Sequence, residues 1–270
     1  MGHLAWATDI HLDHLKRGEL GIREFARGLI EGEPDALLIT GDVTVADRLI
    51  VDIETLLGAT RRPLYLVLGN HDYYGSSIAS VRAVLRAMCV EHELLNYLPQ
   101  SGVIELSEST VLLGVDGWYD ARCGGWQSSR VRLSDFTLID DLNELMAGEP
   151  LIQALRALGD AEALRARSLL EQALPRYRRV VFATHVPPFE AACWYEGELP
   201  GPKDPWAPYF VCVALGEVLR EYAERFPTHE FEVYCGHTHG AGRSQICPNL
   251  VVVSADAEYG KPVLAGRVPF

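Results

Sequence analysis

The sequence predicts an α/β fold built on parallel strands, and three observations predict it. Short runs rich in branched apolar residues alternate with longer segments of helical period along most of the 270-residue chain, the pattern that β-α-β units produce. Hydrophobic residues make up 48% of it, enough to bury a sizeable core. Glycine-bearing turns close several of the apolar runs, as in Gly41-Asp42 and Gly69-Asn70.

The elements follow in order. "HLAWAT" (3–8) reads as the first strand and "REFARGLI" (23–30) as part of a helix. "DALLIT" (35–40) is the second strand, followed by the helical segment "ADRLIVDIETLLGA" (46–59). "PLYLVLG" (63–69) is the third strand, with a helix over "SIASVRAVLRAM" (77–88). "GVIELSESTVLLGVDG" (102–117) reads instead as two strands joined by a polar turn, a hairpin and not a crossover. Helical segments then fall at roughly 135–147, 149–158 and 160–174. "RRVVFATH" (178–185) and "FEVYCG" (231–236) are strands on either side of a helix in 210–226. "SQICPNLVVVSAD" (244–256) closes as a hairpin with Pro248-Asn249 at its turn. Without repeats or a low-complexity linker, residues 1–270 read as one domain, with 117–178 as a mainly helical insertion. That insertion is close to charge-neutral, which suits a lid, a homo-oligomer contact or plain packing on the sheet.

Bulk properties narrow the partners. The formal charge of −13, from 37 acidic and 24 basic side chains, argues against a nucleic-acid or anionic-membrane partner. An anionic substrate stays open, because bound metal ions invert the sign of a site. No apolar run approaches the roughly 18 residues of a membrane span. The start "MGHLAWATDIH" lacks a basic region followed by a hydrophobic stretch, so a cytoplasmic protein is expected. The six cysteines lie far apart and never as CxxC, which reads as reduced structural thiols.

The chemistry-bearing residues fall at strand ends. Asp9 and His11 follow the first predicted strand, Asp42 the second, and Asn70, His71 and Asp72 the third. His185 ends the strand at 178–185, and His237 and His239 follow the one at 231–236. In an open α/β sheet the carboxyl ends of the parallel strands share one edge, where ligands bind. Each residue alone has an ordinary reading as a cap, a turn or a satisfied polar group; five strand ends each bearing a metal-capable side chain do not. The set divides into two ion sites. Asp9, His11, Asp42 and His239 can surround one ion, and Asp42, Asn70, His185 and His237 the other, with Asp42 bridging. A mixture of carboxylate, imidazole and amide oxygen suits Mn²⁺, Fe or Zn²⁺. Glycines at 41, 69 and 236 let the backbone turn tightly beside them.

The series "DIH" (9–11), "GD" (41–42), "GNHD" (69–72), "TH" (184–185) and "GHTH" (236–239) resembles the signature of the calcineurin-like metallophosphoesterases. The resemblance implies a four-layer α-β-β-α sandwich with two metal ions at the strand ends, divided among the residues as above. It also implies that His71 is a catalytic imidazole outside the ligand set, paired with Asp72. Two ions about 3.5–4 Å apart can hold a bridging hydroxide for in-line attack on phosphorus and clamp the phosphoryl oxygens. His71 would then steady those oxygens or protonate the leaving group.

Three departures narrow the substrate. "GDVTVADR" and "GNHD" differ from the "GDxVDRG" and "GNHE" of the serine/threonine protein phosphatases. Neither the extensions of the double-strand-break nucleases nor the basic insert of the lipid A pathway hydrolases is evident. A small phosphoester remains, with a lean toward diesters because two aromatic-rich segments, 185–210 and 116–126, suit a second ester substituent. A phosphomonoesterase, a nuclease and a non-catalytic scaffold are the alternatives. Trp194 and Trp206 could stack on the leaving group or pack their loop onto the sheet, and Arg122 or Arg130 could meet phosphate.

Overall fold

In the computed structural model, which describes residues 2–270, the strands sort into two sheets. The first half of the chain runs β1 (His3–Ala7), α1 (Glu19–Ile30), β2 (Ala36–Thr40), α2 (Leu49–Thr60), β3 (Leu64–Val67), α3 (Ile78–Glu91), β4 (Leu95–Tyr97) and α4 (Leu98–Ser101). The hairpin β5 (Ile104–Glu105) and β6 (Thr110–Gly114) opens the second half, followed by α5 (Asp135–Leu138), α6 (Asp140–Asn143) and α7 (Glu149–Ala173). Then come β7 (Arg179–Ala183), α8 (Val213–Arg225), β8 (Glu230–Cys235), β9 (Gly242–Cys247), β10 (Leu250–Ser254) and β11 (Gly266–Pro269).

One sheet has the order β11-β1-β2-β3-β4 and the other β5-β6-β7-β8-β10-β9. β1 to β4 pair in parallel, as do β6, β7, β8 and β10, while β11, β5 and β9 are antiparallel edges. The sheets stack face to face with helices outside, giving the four-layer α-β-β-α sandwich. The side chains show how. Leu4 and Trp6 of β1, Ala36 and Leu38 of β2, and Val181 and Ala183 of β7 form a core between the sheets. The intervening Ala5, Ala7, Leu37, Ile39, Val180 and Phe182 belong to the larger core under the helices. Strands buried on both faces are apolar at every position, and β2 is buried throughout.

The five strand ends that carry chemistry are therefore not the edge of a single open sheet. Those of β1, β2 and β3 come from one sheet and those of β7 and β8 from the other. Continuous apolar runs do not reveal this, because either arrangement buries both faces. β4 and β11 had no counterpart among the expected elements: one is three residues long, the other an edge strand ending in Pro269.

The insertion is mainly helical, as expected, with its helices beginning only at Asp135; residues 117–134 form neither helix nor strand. The expected break near residue 159 is absent, because α7 is one helix of 25 residues. Gly159 sits inside it for contact and not for flexibility. A Cβ there would lie 2.7 Å from Cβ of Asp120. The Asp120 carboxylate is buried, accepting from the Ala214 amide at 2.8 Å and the Arg122 guanidinium at 3.0 Å.

Gly159→Ala is accordingly expected to destabilise the fold by about 1–3 kcal/mol through overpacking, outweighing the roughly 1 kcal/mol of helix propensity that alanine adds. Urea denaturation checks this; a raised midpoint would contradict the contact.

Candidate functional site

The loops after β1, β2, β3, β7 and β8 meet at one end of the sandwich, and their own hydrogen bonds lace them together. Asp9 N–H donates to Gly41 O (3.1 Å) and His11 N–H to Asp42 O (3.0 Å). The Asp42 carboxylate accepts from His71 N–H at 2.9 Å, and Asp9 accepts from His237 N–H at 2.9 Å across the two sheets. Holding side chains inward this way forces the backbone into the left-handed region at Asp9, His11, Asp42, His237 and His239, with φ between 38° and 70°. Such strain concentrates where surrounding structure over-determines a site. Gly41 has φ 91°, whereas Gly236 serves a close approach: a Cβ there would overlap the Asp9 carboxylate.

Two neighbouring groups of polar side-chain atoms result. One atom each from Asp9, His11, Asp42 and His239 lie within 4.8 Å of one another, a cluster able to hold a metal ion. The Nε2 atoms of His11 and His239 are 3.2 Å apart. Next to it, His185 Nε2 lies 3.4 Å from Asp42 Oδ1 and 3.1 Å from Asn70 Oδ1. His237 Nδ1 lies 2.9 Å from Asn70 Oδ1 and 3.3 Å from His185 Nε2. The outward ring atoms are anchored on carbonyls, His185 Nδ1 to Thr40 O and His237 Nε2 to Tyr209 O, both at 2.9 Å. These bonds assign the N–H to the outer nitrogen of His237 and leave its inner nitrogen a lone pair.

Charge follows the crowding. Burial pushes the His11 and His237 imidazoles down to about 4. Burial also opposes charge on His185, but attraction to Asp42 and then Asp9 outweighs it, raising this imidazole to about 10. Burial disfavours an ionised Asp42 too, and the imidazoles around it, His185 foremost, nevertheless hold it well below the carboxylate range. In the protein alone, protons thus supply the positive charge that the carboxylates demand.

His71 stands apart from both groups. Its Nε2 is 3.9 Å from Asp42 Oδ2, and it lines the cleft above the ligands. Its ring lies against Tyr74 (centroids 4.3 Å apart) and meets the edge of His11 (4.6 Å). The expected pairing with Asp72 is not formed. The buried Asp72 carboxylate instead accepts from the backbone N–H groups of Val43, Thr44 and Gly69 at 2.8–3.0 Å, tying the β2 loop to the β3 loop. A side chain directly after His71 in a turn points away from it, and these amides take its oxygens.

The cleft has a volume of about 430 Å³ and is walled by residues that no motif marks: Tyr74, Arg132, Asp135, Tyr195, Phe210 and Tyr259. Phe210 meets the edge of His237 (5.2 Å), while Tyr259 lies over His11 (4.4 Å) and His239 (5.1 Å). The two tryptophans have other duties. Trp194 donates to Ser244 Oγ at 3.1 Å and packs against Gly242, and Trp206 stacks behind Phe210. Trp118 is buried in the core. Arg122 is taken by Asp120 and Asp160, so it is Arg132, and neither Arg122 nor Arg130, that brings a guanidinium to the cleft.

The profile of the calcineurin-like phosphoesterase family matches residues 3–241. The chain belongs to that family. Family and ligand cluster together mark this calcineurin-like phosphoesterase as a catalytic, metal-dependent hydrolase. Among solved structures it resembles phosphopantetheinyl hydrolase from Mycobacterium tuberculosis, at 15% identity and TM-score 0.70 over 96% of this chain and 90% of that one. It also resembles a dimetal phosphatase from Danio rerio (11%, TM-score 0.61, 97% and 89%) and TT1561 of Thermus thermophilus (13%, 0.54, 94% and 89%). At these identities the likeness is one of fold. No curated protein matches the sequence significantly. Among the described residues no helix is long and apolar enough to cross a membrane.

Cation uptake near neutral pH should release protons, because His185, raised against burial from 6.5 to about 10 by Asp42 and Asp9, carries one there, and a cation held by those carboxylates repels it. Affinity should therefore climb as pH rises toward 10. In the metal-free protein the sign is opposite: the stability from this raised group is complete below 6.5 and lost as pH rises through about 10. Calorimetric Mn²⁺ titrations in two buffers of different ionisation enthalpy check the release; identical heats would contradict it.

Proposed function

We propose that the chain hydrolyses small phosphoesters, diesters by preference, using two cations. Asp9, His11, Asp42 and His239 would hold one, and Asp42, Asn70, His185 and His237 the other. The observation that carries the second ion is the 2.9 Å contact between Asn70 Oδ1 and His237 Nδ1. Asn70 Nδ2 donates to Asp135 and His237 Nε2 to a carbonyl, so two lone pairs face each other. In the metal-free protein the donor that serves them is the Nε2–H of protonated His185, 3.1 Å from Asn70 Oδ1 and 3.3 Å from His237 Nδ1, and a cation that displaces this proton would turn all three lone pairs into ligands. The carboxylate, imidazole and amide set suits Mn²⁺, Fe or Zn²⁺. When bound, such ions neutralise charge on the phosphoryl oxygens and activate water.

The chain's own residues divide the remaining work. Asp42, in both groups, ties the two ion positions together. His71, 18% exposed and packed against the ring of Tyr74, presents an imidazole to the cleft, placed to steady a phosphoryl oxygen or to protonate the departing alkoxide. Asp72 acts on the loops and not on the ester. Phe210 with Tyr195 at one end of the ligand set and Tyr259 at the other offer an aromatic surface for each of two ester substituents, which favours a diester. Arg132, exposed and without an ion pair among the described residues, is available to the anion. Against duplex DNA stands the −13 charge, which repels a long polyanion everywhere outside the cleft. The domain is read as one unit over 1–270.

One kinetic panel tests this reading. Wild type, Asp42→Asn and His71→Ala are assayed with Mn²⁺, Zn²⁺ and Mg²⁺ on bis(p-nitrophenyl) phosphate, p-nitrophenyl phosphate and duplex DNA. The aryl diester should be turned over best. His71→Ala should lose about 10²-fold in turnover with metal content unchanged, and Asp42→Asn should lose metal and activity together. Preferred cleavage of DNA, abolished by Asp42→Asn, would overturn the small-substrate reading.

A further inference from the structure

We propose that Asp135, a residue of the insertion, is a positioning residue that fixes the orientation of Asn70 and thereby makes the second ion position depend on the insertion. The inference rests on the two-ion reading above. An amide side chain can present either its oxygen or its nitrogen to the same place, and the two orientations are nearly equal in shape. Only the oxygen can coordinate a cation. Something must therefore select it; among the ligand residues only the Nε2–H of His185, 3.1 Å from Asn70 Oδ1, favours the oxygen, and that proton is gone once His185 coordinates.

Asp135 is placed for that selection. It is 1% exposed, and a carboxylate only accepts hydrogen bonds. Its Oδ1 accepts from Asn70 Nδ2 at 3.0 Å and from Tyr74 OH at 2.6 Å, while Oδ2 accepts from Tyr119 OH. With the nitrogen of Asn70 claimed on that side, Oδ1 is turned to His185 and His237. The same carboxylate steadies two other parts of the site. Tyr74 is the ring on which His71 lies, and the ring of Tyr119 stacks on that of His237 with centroids 5.7 Å apart.

The segment holding Asp135 is itself tied down. Gly75 N–H donates to Leu138 O at 2.8 Å, Asp140 N–H to Ser76 O at 3.0 Å, and Ile78 N–H to the Asp141 carboxylate at 2.7 Å. The first two join the insertion to the loop that follows β3 and carries Asn70, and the third joins it to the first residue of α3, where that loop ends. This part of the insertion is a fixed brace of the site and not a lid.

The test compares wild type with Asp135→Leu, Asp135→Ala and Asp135→Asn. The asparagine keeps an acceptor oxygen for Asn70, and its nitrogen can donate to Tyr119, whose hydroxyl rotates to accept. Mn²⁺ stoichiometry and affinity are measured, with the electron paramagnetic resonance signal of a coupled Mn²⁺ pair as a second readout and the thermal midpoint of the metal-free protein as a control. Wild type and Asp135→Asn should hold two ions with the coupled signal. Leucine and alanine should weaken the second ion about 10- to 100-fold, the range typical for removing a partner that orients a ligand, and show an uncoupled signal from the first. Either folded variant binding two ions as tightly as wild type overturns the proposal, as does equal weakening of both ions. A single ion in the wild type would instead fail the two-ion reading, and this proposal with it.

Discussion

The cross-sheet bond between the His237 amide and the Asp9 carboxylate, with its companions, is the interaction on which the rest of the structure depends. Two stacked sheets have no intrinsic reason to bring their strand ends into contact, and five loops lined with acids and imidazoles have electrostatic reasons to stay apart. The backbone amides resolve this. They bind the Asp9 and Asp42 carboxylates, so the charges most costly to bury have donors attached, and they hold the Asp72 carboxyl too, although burial and then Asp42 push it well above the usual carboxylate range. Five site residues in left-handed backbone, each costing on the order of 1–3 kcal/mol, follow from the same geometry. Stability is given up locally to hold lone pairs in one place.

Electrostatics then separates the site from its surface. The chain as a whole is acidic, yet beneath the cleft His185 is protonated, Arg132 lines the cleft unpaired among the described residues, and burial keeps His11 and His237 neutral. Attraction for an anion is therefore confined to a volume of about 430 Å³ at the ligand cluster. On the proposed reading, that confinement would favour small esters over polymers. Aromatic rings above each end of the ligand set add surface without adding charge.

Much of the candidate site was legible in the sequence because each candidate ligand stands at or just after the end of an apolar run. Chain order and strand period suffice to place Asp9, His11, Asp42, Asn70, His185, His237 and His239 at strand ends, whichever sheets those strands join. The partition into two sheets was visible only through family resemblance, since Ala5 and Trp6 are equally apolar while facing different layers. Adjacency misled at Asp72, where a turn sends consecutive side chains in different directions. Asp135 and Tyr259 lie in segments without a motif, and what gives them meaning is a contact over 65 residues in one case and the closing loop after β10 in the other. Trp194 and Trp206 drew attention as aromatics in a glycine- and proline-rich loop, but such a loop needs its own packing, and they supply it.

The central claim is that strand ends from two sheets build one site for two cations, joined by Asp42. Anomalous diffraction from crystals grown with Mn²⁺ measures it directly. Two peaks on either side of the Asp42 carboxylate, one against Asp9, His11 and His239 and the other against Asn70, His185 and His237, are expected. A single peak, or none at Asp42, would contradict it.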